Sequence, residues 1–197
     1  MLNGFMGSGY FRRLPVYLLL DCSGSMAGDP ITAMHEGLNM IHRLLMADPQ
    51  AMETVYISVI KFGDNAKQYR LVALDRFVPP ALEAEGKKSM GAALHLLADS
   101  IEQDLVFHTS VRKGDYCPLV FLLTDGEPTD NYRRAVSRLK QLHGIRKPTI
   151  IALGCGGEVN TAMLREITEH VFFMHTVSPE QIKSFFKWIS GSVGITK

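Results

Sequence analysis

Asp21, Ser23 and Ser25 alternate with Cys22 and Gly24 directly after a short apolar run at 16–20. That run carries β-branched and aromatic members and has the length of a strand buried on both faces. Three small oxygen-bearing side chains on a tight loop make half a cage for a hard cation. A second apolar run, 118–123, ends in Thr124, Asp125 and Gly126. Parallel strands ending this way would deliver Asp21 and Asp125 to one point at their carboxyl ends, where open α/β sheets bind ligands. Two carboxylates meeting there would repel, so the pairing calls for a bound ion or a lysine. The chemistry expected is metal-centred binding rather than catalysis.

The competing reading is a phosphoryl-transfer or hydrolytic enzyme with Asp21 as nucleophile. Aspartyl-phosphate chemistry of the haloacid-dehalogenase kind needs a second carboxylate two residues on, and Ser23 stands there. The run Cys22–Met26 is not a Gly-x-Ser-x-Gly elbow, and no Walker loop is present. The seven histidines show no ligand spacing. His35 and His42 lie on one helix as surface or half-buried residues, and His175 ends the last expected strand. Cys22 and Cys155 sit in loops with no base beside them in sequence. Gly154-x-Gly156-Gly157 follows a strand, but Val159 stands where a dinucleotide fingerprint has its third Gly. Asp29 is expected to cap the helix after Pro30, with Glu127 and Asp130 in a solvated loop. Met26, Met34, Met40 and Met46 recur along one segment and read as core filler, the alternative being an exposed Met26 beside the site that meets a partner.

The elements that must position these groups read as alternating strands and helices. A helix starts at Asp29-Pro30 and stops before Asp48-Pro49, with apolar residues at helical spacing. A strand follows at 55–62, then a Gly63-Asp64-Asn65 turn and a second strand at 67–74, the antiparallel edge. The stretch 78–88, with Pro79-Pro80 and Gly86, is a loop. Helices are expected at 90–101, 131–142, 161–169 (capped by Asn160) and 179–189. Strands are expected at 119–123, 149–153 and 171–174. Such alternation means βαβ crossovers and a mostly parallel sheet.

The 197 residues suit one domain spanning 1–197, with its core at about 14–189. Hydrophobic content of 46%, charged content of 21% and a net charge of +1 fit a soluble globular protein and point to neither nucleic acid nor an anionic membrane. Three cysteines without a Cys-x-x-Cys pair exclude a zinc cage and suggest reduced thiols in the cytoplasm. Scattered as they are, they also argue against a metal-sequestering protein. The apolar run after Arg12-Arg13 is too short for a signal peptide and has no cleavage site.

LPVYLLLDCSGSM with Gly28-Asp29-Pro30-Ile31, the helix start Met90-Gly91-Ala92-Ala93-Leu94, and LVFLLTDGEPTD resemble the von Willebrand factor A domain. The likeness is closer still to TerY-like proteins of bacterial tellurium-resistance and stress-response operons, and it spans about 14–189. It implies a Rossmann-like three-layer α/β sandwich. The sheet would be six-stranded and mostly parallel with one antiparallel edge strand, and helices would lie on both faces. It implies a metal-ion-dependent adhesion site holding Mg²⁺ (or Mn²⁺ or Ca²⁺) on Asp21, Ser23, Ser25 and Asp125. It also implies a non-enzymatic module that binds a partner protein through the partner's acidic side chain, the partner being a kinase or phosphatase of the same operon.

The second loop departs from the pattern. Where the family has a threonine, three residues before Gly91, this chain has Lys88, and the nearest hydroxyl is Ser89. Ser89 would ligate the metal if the loop shifted by one residue. Otherwise the Lys88 ammonium crowds and weakens the site, occupies it as an internal cation between Asp21 and Asp125, or snorkels to solvent.

Overall fold

The computed structural model describes residues 12–156, 159–174 and 179–194. Strands β1 (Leu14–Asp21), β2 (Val55–Phe62), β3 (Ala66–Ala73), β4 (Leu119–Thr124), β5 (Thr149–Cys155) and β6 (His170–Met174) form one sheet in the order β3-β2-β1-β4-β5-β6. Only β3 runs antiparallel, hairpinned to β2 through the Gly63-Asp64-Asn65 turn; the other five are parallel. The expected sheet and its antiparallel edge are both present.

Every residue of β1 is buried, which is why it reads as an unbroken apolar run. Its side chains nonetheless alternate between two cores. Val16, Leu18 and Leu20 pack on one face with α1 (Asp29–Met46), α2 (Pro49–Thr54) and α6 (Pro179–Gly194). Tyr17 and Leu19 pack on the other with α3 (Met90–Asp104), α4 (Arg133–Lys140) and α5 (Thr161–Ile167). Phe121 and Leu123 of β4 join the first core, and Val120 and Leu122 the second. The helices thus cover both faces and fix which end of each strand is open to solvent.

Several boundaries differ from expectation for local reasons. α2 was not anticipated: Asp48 caps it, accepting from the backbone N–H groups of Gln50 and Ala51, with Pro49 at its first position. Asp29 does not cap α1. The N-cap is Gly28, whose φ of 86° only glycine adopts without strain, and Asp29 lies exposed in the first turn. Asn160 does cap α5, accepting from Met163 N at 3.1 Å. Met26 is fully buried in the first core, as core filler, and the alternative of an exposed Met26 does not hold. Gly154 serves packing, since a Cβ there would lie 2.7 Å from Val159 Cγ1. His35 and His42 are half-buried on α1, and His42 meets the Phe77 ring edge-on at 5.5 Å. His175 lies outside the described residues. Among the described residues, no helix is long and apolar enough to cross a membrane.

Candidate functional site

β1 is flanked by β2 on one side and β4 on the other, so the order in which strands are added to the sheet reverses between β1 and β4, which stay parallel. The register pairs Leu20 with Leu123, which puts the tips of both strands side by side. Asp21 leaves β1 there, fully buried, and Thr124 and Asp125 leave β4.

Asp21 organises the cluster. Its Oδ1 accepts from the Ser23 backbone N–H at 2.9 Å and the Ser23 hydroxyl at 2.6 Å. Its Oδ2 accepts from the Thr124 hydroxyl at 2.6 Å and the Lys88 ammonium at 2.8 Å. Ser25 spans the gap between the strand tips, donating to Asp125 Oδ1 at 2.9 Å and lying 3.1 Å from Ser23 Oγ. Asp21, Ser23, Ser25 and Asp125 therefore converge as the sequence suggested. The point they converge on carries Lys88 Nζ, which also reaches Ser23 Oγ at 3.0 Å, Ser25 Oγ at 3.2 Å and, closely, Asp125 Oδ1.

The loop 78–88 delivers that ammonium by threading between the two strand-end loops beside it. Glu85 N–H donates to Cys22 O at 2.9 Å, Gly24 N–H to Gly86 O at 3.0 Å, and Lys87 N–H to the Asp64 carboxylate at 2.7 Å. Gly86 has a φ of 68°, and a side chain there would collide with Asp64. Gly63 permits the approach too, since a Cβ would lie 2.7 Å from Glu85 O. On the other flank, Lys88 and Thr129 exchange bonds: Lys88 N–H to Thr129 Oγ1 at 3.1 Å, and Thr129 N–H to Lys88 O at 2.9 Å. With its backbone pinned on both sides, Lys88 has its long side chain directed inward, and only 9% of that side chain is exposed.

Ser89 does not join the cluster. Its hydroxyl donates to the Asp64 backbone carbonyl at 2.7 Å, because the peptide is already fixed by Ser89 N–H to Gly63 O. Of the possibilities left open for position 88, the structure has the internal cation. The four oxygen-bearing groups are the right donors for a hard cation. As arranged they hold an ammonium where a divalent ion would sit, so this donor set does not fit Mg²⁺, Mn²⁺ or Ca²⁺ while Lys88 stays in place. Among the described residues, no group of three or more His, Cys, Asp or Glu is placed to hold a metal.

Two supporting acids have structural duties that the sequence did not reveal. Asp130 reaches from the loop after β4 to the start of α3, accepting from Gly91 N and Ala92 N at 2.8 Å each. Gly91 is required for that approach, since a Cβ would lie 2.8 Å from Asn131 O. Glu127 accepts from Asn160 Nδ2 at 2.6 Å. Thr124 was legible only as part of the Thr-Asp-Gly run, yet it is fully buried and holds the second oxygen of Asp21.

The thiols beside the cluster are unreactive by environment. Burial pushes the Cys22 thiol up to about 12, assisted by the Asp21 charge against a smaller opposing effect of Lys61. Cys155 is raised to about 12 by burial and then by Asp125 and Asp21.

Solved structures with this fold include proximal thread matrix protein 1 from the mussel byssus, 17% identical, with a TM-score of 0.65 over 91% of this chain and 47% of that one. A von Willebrand factor type A protein from Catenulispora acidiphila is 18% identical, with a TM-score of 0.64 over 93% of this chain and 43% of that one. The manganese-loaded TRAP protein of Plasmodium vivax is 21% identical, with a TM-score of 0.60 over 91% of this chain and 74% of that one. A further form of the mussel protein has zinc in its metal-ion-dependent adhesion site. This chain spans about half the length of the mussel protein. No curated protein matches it. The family model for the von Willebrand factor type A domain matches residues 16–188, from β1 into α6. A match that reaches all six strands and takes in both strand-tip loops settles the family, and the chain belongs to the von Willebrand factor type A domain family.

Proposed function

We infer that the protein is a non-enzymatic protein-interaction module whose contact face lies at the carboxyl ends of the parallel strands. The observation that carries this is the state of Asp21. It is fully buried, and each carboxylate oxygen accepts two hydrogen bonds. A carboxylate so engaged has no lone pair aimed at a phosphorus or acyl centre, so it organises the loops and does not attack a substrate. Beside it, Ser25 is exposed and Asp125 is partly exposed, which leaves a polar rim open to another surface. That one protein with this fold is named a thread matrix protein of the mussel byssus supports a non-enzymatic reading.

The likeness of the strand-tip loops to TerY-like proteins supports a finer reading. The partner is a kinase or phosphatase of a bacterial stress-response complex in the cytoplasm, where an exposed thiol such as Cys117 stays reduced. This assignment rests on family analogy.

A photo-reactive amino acid at position 25, compared with one at the exposed position 111 in the connection entering β4, tests the contact face. Adducts with a protein partner from position 25 and none from position 111 are expected. Adducts from position 111 alone would move the contact to the opposite end of the sheet.

A further inference from the structure

We propose that Lys88 is the resident cation of this site, permanently taking the place that a divalent ion takes in a metal-ion-dependent adhesion site, so that the contact face works without metal. The inference deepens the reading of the strand tips as a contact face, but its first half stands on the cluster alone.

The argument is one of valence. An ammonium has three N–H donors, and Lys88 Nζ has four oxygen acceptors around it: Asp21 Oδ2, Ser23 Oγ, Ser25 Oγ and Asp125 Oδ1. The hydroxyl donors of the cluster are spent as well. Ser23 and Thr124 donate to Asp21, and Ser25 donates to Asp125. A bound divalent ion would differ from this in two respects. It would carry a second positive charge, and it would leave a coordination position for an oxygen from outside. Lys88 supplies one charge against two carboxylates and leaves no side-chain donor of the cluster free. A partner's carboxylate therefore meets acceptors already paired, with a net negative charge behind them, and is disfavoured at this point.

Lys88 is also held by more than its ammonium. The backbone exchange with Thr129 and the bonds of Glu85, Lys87 and Ser89 to the flanking loops fix the peptide on both sides of it. A divalent ion entering the cluster would have to expel a side chain whose backbone is anchored, and would then share the vicinity with a displaced ammonium. Electrostatics opposes both steps.

Manganese(II) added to the metal-free full chain, followed by calorimetry and by the shift in melting temperature, tests this without any partner. The wild type is expected to show no saturable binding and no shift. Lys88→Thr is expected to gain one saturable site with a rise in melting temperature, lost again in Lys88→Thr/Asp21→Asn. Saturable binding by the wild type that Asp21→Asn abolishes would overturn the proposal, as would a folded Lys88→Thr that binds no manganese. If Lys88→Thr does not fold, the wild-type titration decides alone. Crosslinking from position 25 separates this from the contact-face reading. Capture that is equal with and without EDTA supports metal-free contact, and capture lost in EDTA overturns it. No adduct at all from position 25 would count against the contact face only and leave the manganese result standing.

Discussion

Replacing Lys88 by Met should be among the most damaging single changes available to this fold, although it is nearly isosteric and removes no apolar contact. The substitution deletes an ammonium whose side chain is 9% exposed and which pairs with Asp21, 0% exposed, and Asp125, 11% exposed. Both carboxylates lie within hydrogen-bond reach of the same nitrogen. Once it is gone they face each other at about 5 Å, a repulsion of about 3 kcal/mol at an effective dielectric of about 20. Asp21 also keeps its desolvation without its counter-charge. Breaking a buried pair in this way costs about 3–5 kcal/mol, a large part of the roughly 5–15 kcal/mol by which a domain is stable. For a chain of this size the melting temperature should fall by about 6–20 °C. Guanidinium unfolding in EDTA is the appropriate assay, followed by circular dichroism and the fluorescence of the single tryptophan, Trp188. EDTA keeps a metal from filling the vacated cage. Adding Asp125→Asn should recover part of the loss by removing one of the two facing charges. The exposed pair Arg133–Glu166, at 70% and 44% exposure, supplies the control: Arg133→Ala should leave the unfolding midpoint nearly unchanged. If Lys88→Met costs no more than Arg133→Ala, the ammonium is not seated among the carboxylates and the account of the site fails.

Asp130→Ala should cost about 1–2 kcal/mol by leaving the first N–H groups of α3 without an acceptor, measured by urea unfolding; a neutral result would show that solvent replaces the cap. Gly63→Ala sets a Cβ 2.7 Å from Glu85 O and should cost about 1–3 kcal/mol while loosening the loop that carries Lys88; proteolysis within 78–88 should quicken, and an unchanged rate would argue against that coupling. The buried thiols predict alkaline weakening. Cys22 and Cys155 keep their protons to about pH 12 when folded and lose them near 9.0 when unfolded, so the unfolded chain binds fewer protons and stability falls as pH rises from 9 to 12. At about pH 10 the loss should be on the order of 1 kcal/mol per thiol. Cys22→Ala/Cys155→Ala should flatten melting temperature against pH in that window, and an identical slope would assign the weakening elsewhere.

What was legible in the sequence follows from the range over which each feature is encoded. β1 and β4 announce themselves because burial on both faces demands unbroken apolar runs, and the oxygens of Asp21, Ser23, Ser25 and Asp125 lie within five residues of those runs. Their convergence required that β1 and β4 be neighbours, which the alternation of strands and helices permits without fixing the strand order. α2 was missed because six residues carry too little periodicity; its signal was the Asp48-Pro49 pair, read only as the end of α1. Asp130 was misplaced in a solvated loop because the N–H groups it caps lie 38 and 39 residues away.

Position 88 was the hardest case, and for a physical reason. A lysine next to a serine at a ligand position gives two rational outcomes in sequence, since the serine has the donor type and the lysine has the wrong charge for a metal neighbour. What decides between them is the backbone of 85–89. Ser89 N–H is committed to Gly63 O and its hydroxyl to Asp64 O, which turns that side chain away and leaves position 88 facing the carboxylates. Gly63 and Gly86 are the residues that allow the loop so close, and each serves through a Cβ it lacks. A missing atom leaves no periodicity and no chemical type to notice. The identity of the cation was thus set by two glycines, one on each side of the close approach, and only afterwards by the ammonium that the approach carries in.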